Sequence, residues 1–435
     1  MTPGIAGGPV AVLSLLAGAV LISFSTCPDR EWLYEMTLPR YALLCVLPML
    51  LSGSRFVGAE EGIPLLLEED KSFDSLRGAV RKPQPQLLHE PCGFALFPRN
   101  GDFCYTIRPL MRIVFMGSSA ASATCLRALM RESELEVVGV VTQPDRPVGR
   151  GKAITPCPCK DFALKAGITE IITPESVNTP EALARIRRWK PDVIAVVAFG
   201  QFLKAELLNL PICGCINCHF SLLPKYRGAS PVVAALAAGD GMTGVSVIRM
   251  GLGMDDGPIL LQSYEPIYSD VTGGELMDEL AIAGGVTLAK ALKLMSRNAL
   301  PPEVKQDEND ATFARKLKKT DGEIRWADDV IDIERRIRAY SPWPGCYTFL
   351  PERFRKKGNS GRLVVLASEV WSRVAEDRRS SAPGMVIEVT KRGPVVRCGN
   401  TALLLTKVKP EGSGVMDGGA FLRGRNLAAG EMLGA

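Results

Sequence analysis

A doubly wound α/β domain with a mostly parallel, Rossmann-like sheet, followed by a small β-barrel of the OB type, is the architecture that this 435-residue chain predicts. Three observations carry that expectation. Short apolar runs at 112–116, 136–142 and 192–199 alternate with helical segments, the pattern of strands buried on both faces. Beyond residue 315 the pattern changes to alternating or apolar segments parted by Gly and Pro turns. Charge is uneven as well: residues 1–110 hold 9 basic and 11 acidic side chains, 111–314 hold 20 and 22, and 315–435 hold 23 and 14. The last part is therefore the one that faces a polyanion.

The length allows two or three domains, and 46% apolar with 23% charged residues is ordinary for a globular protein. Twelve cysteines without a regular framework suit a reducing compartment, so a cytoplasmic location is expected. The first 110 residues differ from the rest. Gly4 to Phe24 is an uncharged apolar run of about transmembrane length, with no basic residue before it to make a signal peptide. Asp29, Glu31 and Glu35 argue against a mitochondrial transit sequence, and the run Tyr41 to Leu51 is too short to span a membrane. Residues 53–110 show no sustained period. Met111 then opens a strand without any linker. We expect Met111 to be the natural start and 1–110 an over-extended reading frame; the rival is a membrane-anchoring leader, and a membrane is a partner only under that rival. The expected division is 1–110 leader, 111–300 α/β domain, 301–314 linker and 315–435 barrel.

In chain order, Arg112 to Met116 is a strand closing on Gly117, and Ser122 to Met130 is helical. Gly117-Ser-Ser-Ala-Ala-Ser lacks the later glycines of a dinucleotide fingerprint. Glu136 to Thr142 is the second strand, and Thr142 to Lys152 a loop rich in Gly, Pro and positive charge, hence anion-seeking. Asp192 to Phe199 is the third strand. Pro231 to Ala238 reads as a short helix, Thr243 to Met250 as a strand, and Gly274 to Leu294 as a long closing helix. Arg362 to Trp371, Gly384 to Cys398 and Thr401 to Lys409 are the strand segments of the last domain. Trp343, between two prolines, is a packing corner. Arg315, Lys316, Lys318, Lys319, Arg353, Arg355, Lys356 and Lys357 form either a solvated face or a contact surface for an RNA backbone.

The stretch Ile216 to Pro231 holds one of only two histidines, His219. Asn217 lies two residues earlier, so on a strand both side chains share a face and aim an amide and an imidazole at one spot. Such neighbours suit a developing oxyanion. The same residues admit other readings. Cys215-x-x-Cys218-His219 fits c-type haem attachment, and Cys213, Cys215, Cys218 and His219 could ligate zinc. Haem attachment requires export, and zinc would need a distant second pair, for which Cys157 and Cys159 are the candidates. Small buried cysteines in a strand account for these thiols best.

Asn217-x-His219-x-Ser-Leu-Leu-Pro-x-Tyr-Arg-Gly228, with Thr243 to Met250 and Gly253-Met-Asp255-x-Gly257, resembles the signature of the folate-dependent formyltransferase family. Met111 to Gly117 resembles the natural start of a bacterial member, and Asp310 to Trp326 and Arg338 to Thr348 resemble later family motifs. The resemblance spans 111 to about 425. It implies a catalytic set of Asn217, His219 and Asp255, with 10-formyltetrahydrofolate as co-substrate and no metal. It places a folate pocket along Phe199, Gly200, Ser221, Leu222, Leu223 and Pro224. Pro144-Asp-Arg-Pro-x-Gly-Arg-Gly-Lys152 resembles the loop with which the members acting on initiator methionyl-tRNA grip its acceptor end, which implies Arg150 at the stem and Arg146 and Lys152 on phosphates. No stable protein partner is implied. The alternatives are a small-molecule formyltransferase, a formyltetrahydrofolate hydrolase, and a membrane-tethered haem protein.

Overall fold

The computed structural model describes residues 110–148, 153–355 and 359–434, together with the backbone of five short strands before residue 70. Apart from that backbone and Leu110, the leader lies outside the described residues. Among the described residues no helix is long and apolar enough to cross a membrane.

The strands of the first half are β1 (Met111–Gly117), β2 (Leu135–Val141), β3 (Arg146–Val148), β4 (Ala153–Thr155), β5 (Ile171–Ile172), β6 (Val193–Val197), β7 (Cys215–His219), β8 (Arg227–Gly228), β9 (Met242–Arg249) and β10 (Ile259–Pro266). Seven of them form one sheet in the order β5-β2-β1-β6-β7-β9-β10. The first five are parallel and the last two antiparallel. The order reverses between β1 and β6, so a crevice opens at their carboxyl ends. Every residue of β6 is buried, as its unbroken apolar run requires. The prediction of a mostly parallel sheet holds, and two antiparallel strands on one side add to it.

Helices α1 (Ala120–Leu129), α2 (Pro158–Lys165), α3 (Pro180–Arg188), α4 (Ala205–Leu208), α5 (Pro231–Ala238) and α6 (Gly273–Ser296) cover the faces. Ser119 and Ser122 cap α1 reciprocally, and Thr272 and Glu275 do so for α6. The long helix α6 lies close behind β7: a Cβ on Gly284 would stand 3.0 Å from Cys218 Sγ and from the Phe220 ring.

The second half holds β11 (Phe313–Ala314), α7 (Val330–Ala339), β12 (Cys346–Phe349), β13 (Arg362–Trp371), β14 (Val386–Val389), β15 (Pro394–Arg397), β16 (Ala402–Pro410), β17 (Met416–Asp417) and α8 (Gly418–Arg425). Six strands make an antiparallel sheet, β12-β13-β16-β15-β14 with β17 on β16. The segment Gly384 to Cys398, expected as one strand, is a hairpin. Thr390 Oγ1 accepts from the amides of Arg392 and Gly393, both at 3.1 Å, and folds the chain there.

Trp189 fixes the outer strands to α3. Its Nε1 donates to Glu170 Oε2 at 2.7 Å, and its ring lies on β2 where a Cβ on Gly139 would approach within 2.5 Å. Gly139→Ala should therefore destabilise the protein by about 1–3 kcal/mol, the usual scale of overpacking. A urea titration checks this; an unchanged midpoint would mean that the indole moves freely.

Candidate active site

Strand β7 alternates between two cores. Ile216 and Cys218 enter the one under α6, and Cys215 enters the other, between the sheet and α3. Asn217 and His219 share the face of Cys215. The loop between β9 and β10 leaves the sheet near the start of β7, since Arg249 pairs with Ile216. It then doubles back over that face and delivers Asp255 to the pair. The site thus lies over the face of β7 and extends to its carboxyl end.

Asn217 Nδ2 donates to Asp255 Oδ1 at 3.1 Å. Asp255 Oδ2 accepts from the Gly228 amide at 2.9 Å and faces His219 Nδ1 at 3.5 Å. The other imidazole nitrogen, Nε2, is 2.9 Å from Tyr226 O. A carbonyl only accepts, so Nε2 carries the hydrogen in this arrangement. His219 is buried and Asp255 largely so. Asp255 has φ +52°, the left-handed region that few side chains other than Asn and Asp adopt. The structure brings together the three residues that the resemblance implied.

The residues implied for folate divide. Phe199 is buried at the end of β6, where its carbonyl accepts from Gln143 Nε2 at 3.1 Å, while Gly200 is exposed. Ser221 Oγ donates to Lys225 O at 2.7 Å and closes its own loop. Leu223 turns away into a small cluster with Ile248 and Ile259. Leu222 and Pro224 line an open cavity of about 540 Å³ with Tyr226, Asp240 and Thr243. Ser246 Oγ braces this loop, donating to Ser221 O at 2.7 Å and accepting from the Leu223 amide at 3.0 Å.

Strands β3 and β4 pair as an antiparallel ribbon, and Arg146 on it is exposed and bonded to Glu175 at 2.7 Å. Arg150 and Lys152 lie outside the described residues, as do Lys356 and Lys357. In the second half Arg315 pairs with Asp321 and Arg353 with Glu431. The side-chain hydrogen bond from Arg315 holds the Asp321 carboxyl down at about 2. Lys316 and Lys319 are exposed beside that pair.

The stretch 301–314, expected as a linker, is bound onto the first half by contacts that sequence reasoning missed. Val304 bonds the Ile259 backbone in both directions, and β11 runs parallel to β8. Between them Gln306 Nε2 donates to Asp255 O and Gly257 O, each at 2.7 Å, and Gln306 Oε1 accepts from Arg227 Nε at 3.0 Å. Arg227 is buried and holds Glu308 through two bonds of 2.9 Å. The proline-marked, polar composition of 301–310 carries no periodic signal that would have revealed this.

Residues 111–292 match the family model described as formyl transferase, and residues 316–426 the model of the formyl transferase C-terminal domain. A methionyl-tRNA formyltransferase of Roseiflexus sp. is 40% identical over 324 residues, which are 74% of this chain and 95% of that protein. The methionyl-tRNA formyltransferase of Acidithiobacillus ferrooxidans is 42% identical over 324 residues, 74% of this chain and 98% of its own length. Among solved structures, HypX from Aquifex aeolicus with tetrahydrofolic acid aligns at a TM-score of 0.47 and 14% identity, over 74% of this chain and 48% of that one.

The geometry also decides between the readings of the cysteines. Cys215 and Cys218 point to opposite faces of the sheet and cannot serve one haem or one metal ion. Burial pushes the Cys215 thiol up to about 12; a hydrogen bond with Cys125, together with burial, raises Cys218 well above its ordinary value. At pH 8 a thiol reagent should modify the half-buried Cys157 and Cys213 in the native protein and spare both of these until denaturant is added. Peptide mapping checks this; native-state labelling of Cys215 or Cys218 would contradict it.

Proposed function

The chain belongs to the formyl transferase family, and we propose that it moves the formyl group of 10-formyltetrahydrofolate to the methionine amino group of initiator methionyl-tRNA. The observation that carries the reading is the Asp255 carboxylate held between Asn217, His219 and the Gly228 amide. Attack of an amine on a formyl carbon creates a tetrahedral oxyanion and an ammonium proton that must leave. His219 and Asn217 stabilise the first; Asp255 orients His219 and takes the second. The Nε2 hydrogen of His219 rests on a neutral carbonyl, and a charged acceptor binds such a donor roughly twice as strongly. A developing oxyanion therefore competes well with the Tyr226 carbonyl for that hydrogen. Asn217 has a second amide hydrogen besides the one on Asp255. The amine is the nucleophile, so no nucleophilic side chain is needed.

Folate lies along Phe199–Gly200 and Ser221–Pro224, with Leu222 and Pro224 open to the adjoining cavity. The C-terminal sheet acts as an OB-like barrel on the RNA backbone, and Arg146, on the ribbon of β3 and β4, grips the acceptor end together with Arg150 and Lys152. The reaction takes place in the cytoplasm.

His219→Ala and Asp255→Asn should each lower turnover by about 10² or more, the scale of losing a positioned proton acceptor or oxyanion donor. Transfer of a labelled formyl group to charged initiator tRNA measures it. Normal turnover with saturating substrates would remove that residue from the catalytic set.

Arg150→Ala should raise the KM for tRNA and leave folate binding intact. Neutralising Lys316 and Lys319 should flatten the salt dependence of tRNA affinity by roughly one unit per lost phosphate contact. An unchanged slope would put the RNA face elsewhere.

A further inference from the structure

Gln306 is 4% exposed, although residues 302–305 and 307–310 around it are all exposed. A polar side chain is buried there because every one of its groups is used. Both hydrogens of the amide go to the site loop, one to Asp255 O and one to Gly257 O, and its oxygen takes Arg227 Nε. The two carbonyls flank the turn that begins at the left-handed Asp255, so one amide fixes the peptide planes on which the direction of the Asp255 side chain depends. Arg227, pinned to Glu308, keeps that amide from rotating. From the other side, Asn217 and the Gly228 amide hold the carboxylate itself.

We propose that Gln306 is a positioning residue for Asp255, and that aiming this carboxylate is what the segment after the α/β domain contributes to the reaction. The inference rests on the reading of Asp255 as proton acceptor. It assigns no contact between Gln306 and either substrate.

The test uses the full chain with Gln306→Leu and Gln306→Glu, each alone and combined with Asp255→Asn. The readouts are kcat, the KM of each substrate and the urea midpoint. Gln306→Leu should lower kcat about 10- to 10²-fold, the range a small misplacement of a reacting group produces. Both KM values should hold. Added to Asp255→Asn, it should cause little further loss, because groups acting through one another are not additive. Gln306→Glu keeps the volume and the acceptor for Arg227 but removes both donors, so it carries the test if the leucine variant fails to fold. Its kcat should fall likewise, and recover relative to wild type at low pH, where a protonated carboxyl donates to one carbonyl.

An equal fractional loss on the Asp255→Asn background would overturn the proposal, as would an effect confined to KM or full kcat in Gln306→Glu. Normal turnover of Asp255→Asn alone would instead refute the reading of Asp255, and the proposal with it. That outcome is distinguished because it needs no change at 306.

Discussion

The Asp255 carboxylate accepts from Asn217 Nδ2 and the Gly228 amide while facing His219 Nδ1, and these partners arrive on separate stretches of chain. Asn217 and His219 come from a strand packed on both faces, the Gly228 amide from the short strand β8 beyond it, and Asp255 from a loop that folds back over the sheet. A largely buried carboxylate needs several donors, or burial costs more than its partners return. With these partners in place, the carboxylate ties the polar face of β7 to Gly228 and to its own loop. The placement of β9 serves the same end. Being antiparallel to β7, it finishes near the start of β7 and sends its loop across the face that bears the two polar side chains.

Much of this arrangement could be read from the residues. The spacing of Asn217 and His219 puts both on one face whatever the surrounding fold, and the Gly-flanked Asp255 supplies the short polar side chain that a left-handed turn accepts. The parallel strands were legible because β-branched runs buried on both sides leave a continuous apolar signal. Contacts made through main-chain atoms were not. Tyr226 enters the site through its carbonyl and Phe199 binds its surroundings through its own, so neither side chain announces the role. Leu223 looked equivalent to Leu222, yet alternation around the loop turned it into a different cluster. Gln306 was hidden for another reason: a buried amide in a polar segment looks like any solvated glutamine until its partners are known.

The basic character of the second half is also less uniform than its composition suggests. Asp321 and Glu431 hold two of its arginines by hydrogen-bonded pairs, each carboxyl below its ordinary range for that reason. Exposed pairs of this kind contribute little to stability. They do shape the surface, because a paired arginine presents a weaker field than an unpaired one. The net charge therefore overstates the positive field of this half, and exposed lysines such as Lys316 and Lys319 carry more of it than their number implies.

The seam between β8 and β11 bears on how such a chain could be cut or recombined during evolution. Its two halves are separate by composition and by family model, which suggests exchangeable modules. A break near residue 300 would strip the Ile259 backbone of its partner, leave the buried Arg227 guanidinium without Gln306 and Glu308, and release the turn at Asp255. A break after Ala314 would leave all of these in place. A recombinant that carried the α/β domain to a new partner would have to take this stretch along to keep these contacts, so the structural unit runs to about residue 314, beyond where the sheet and its helices stop.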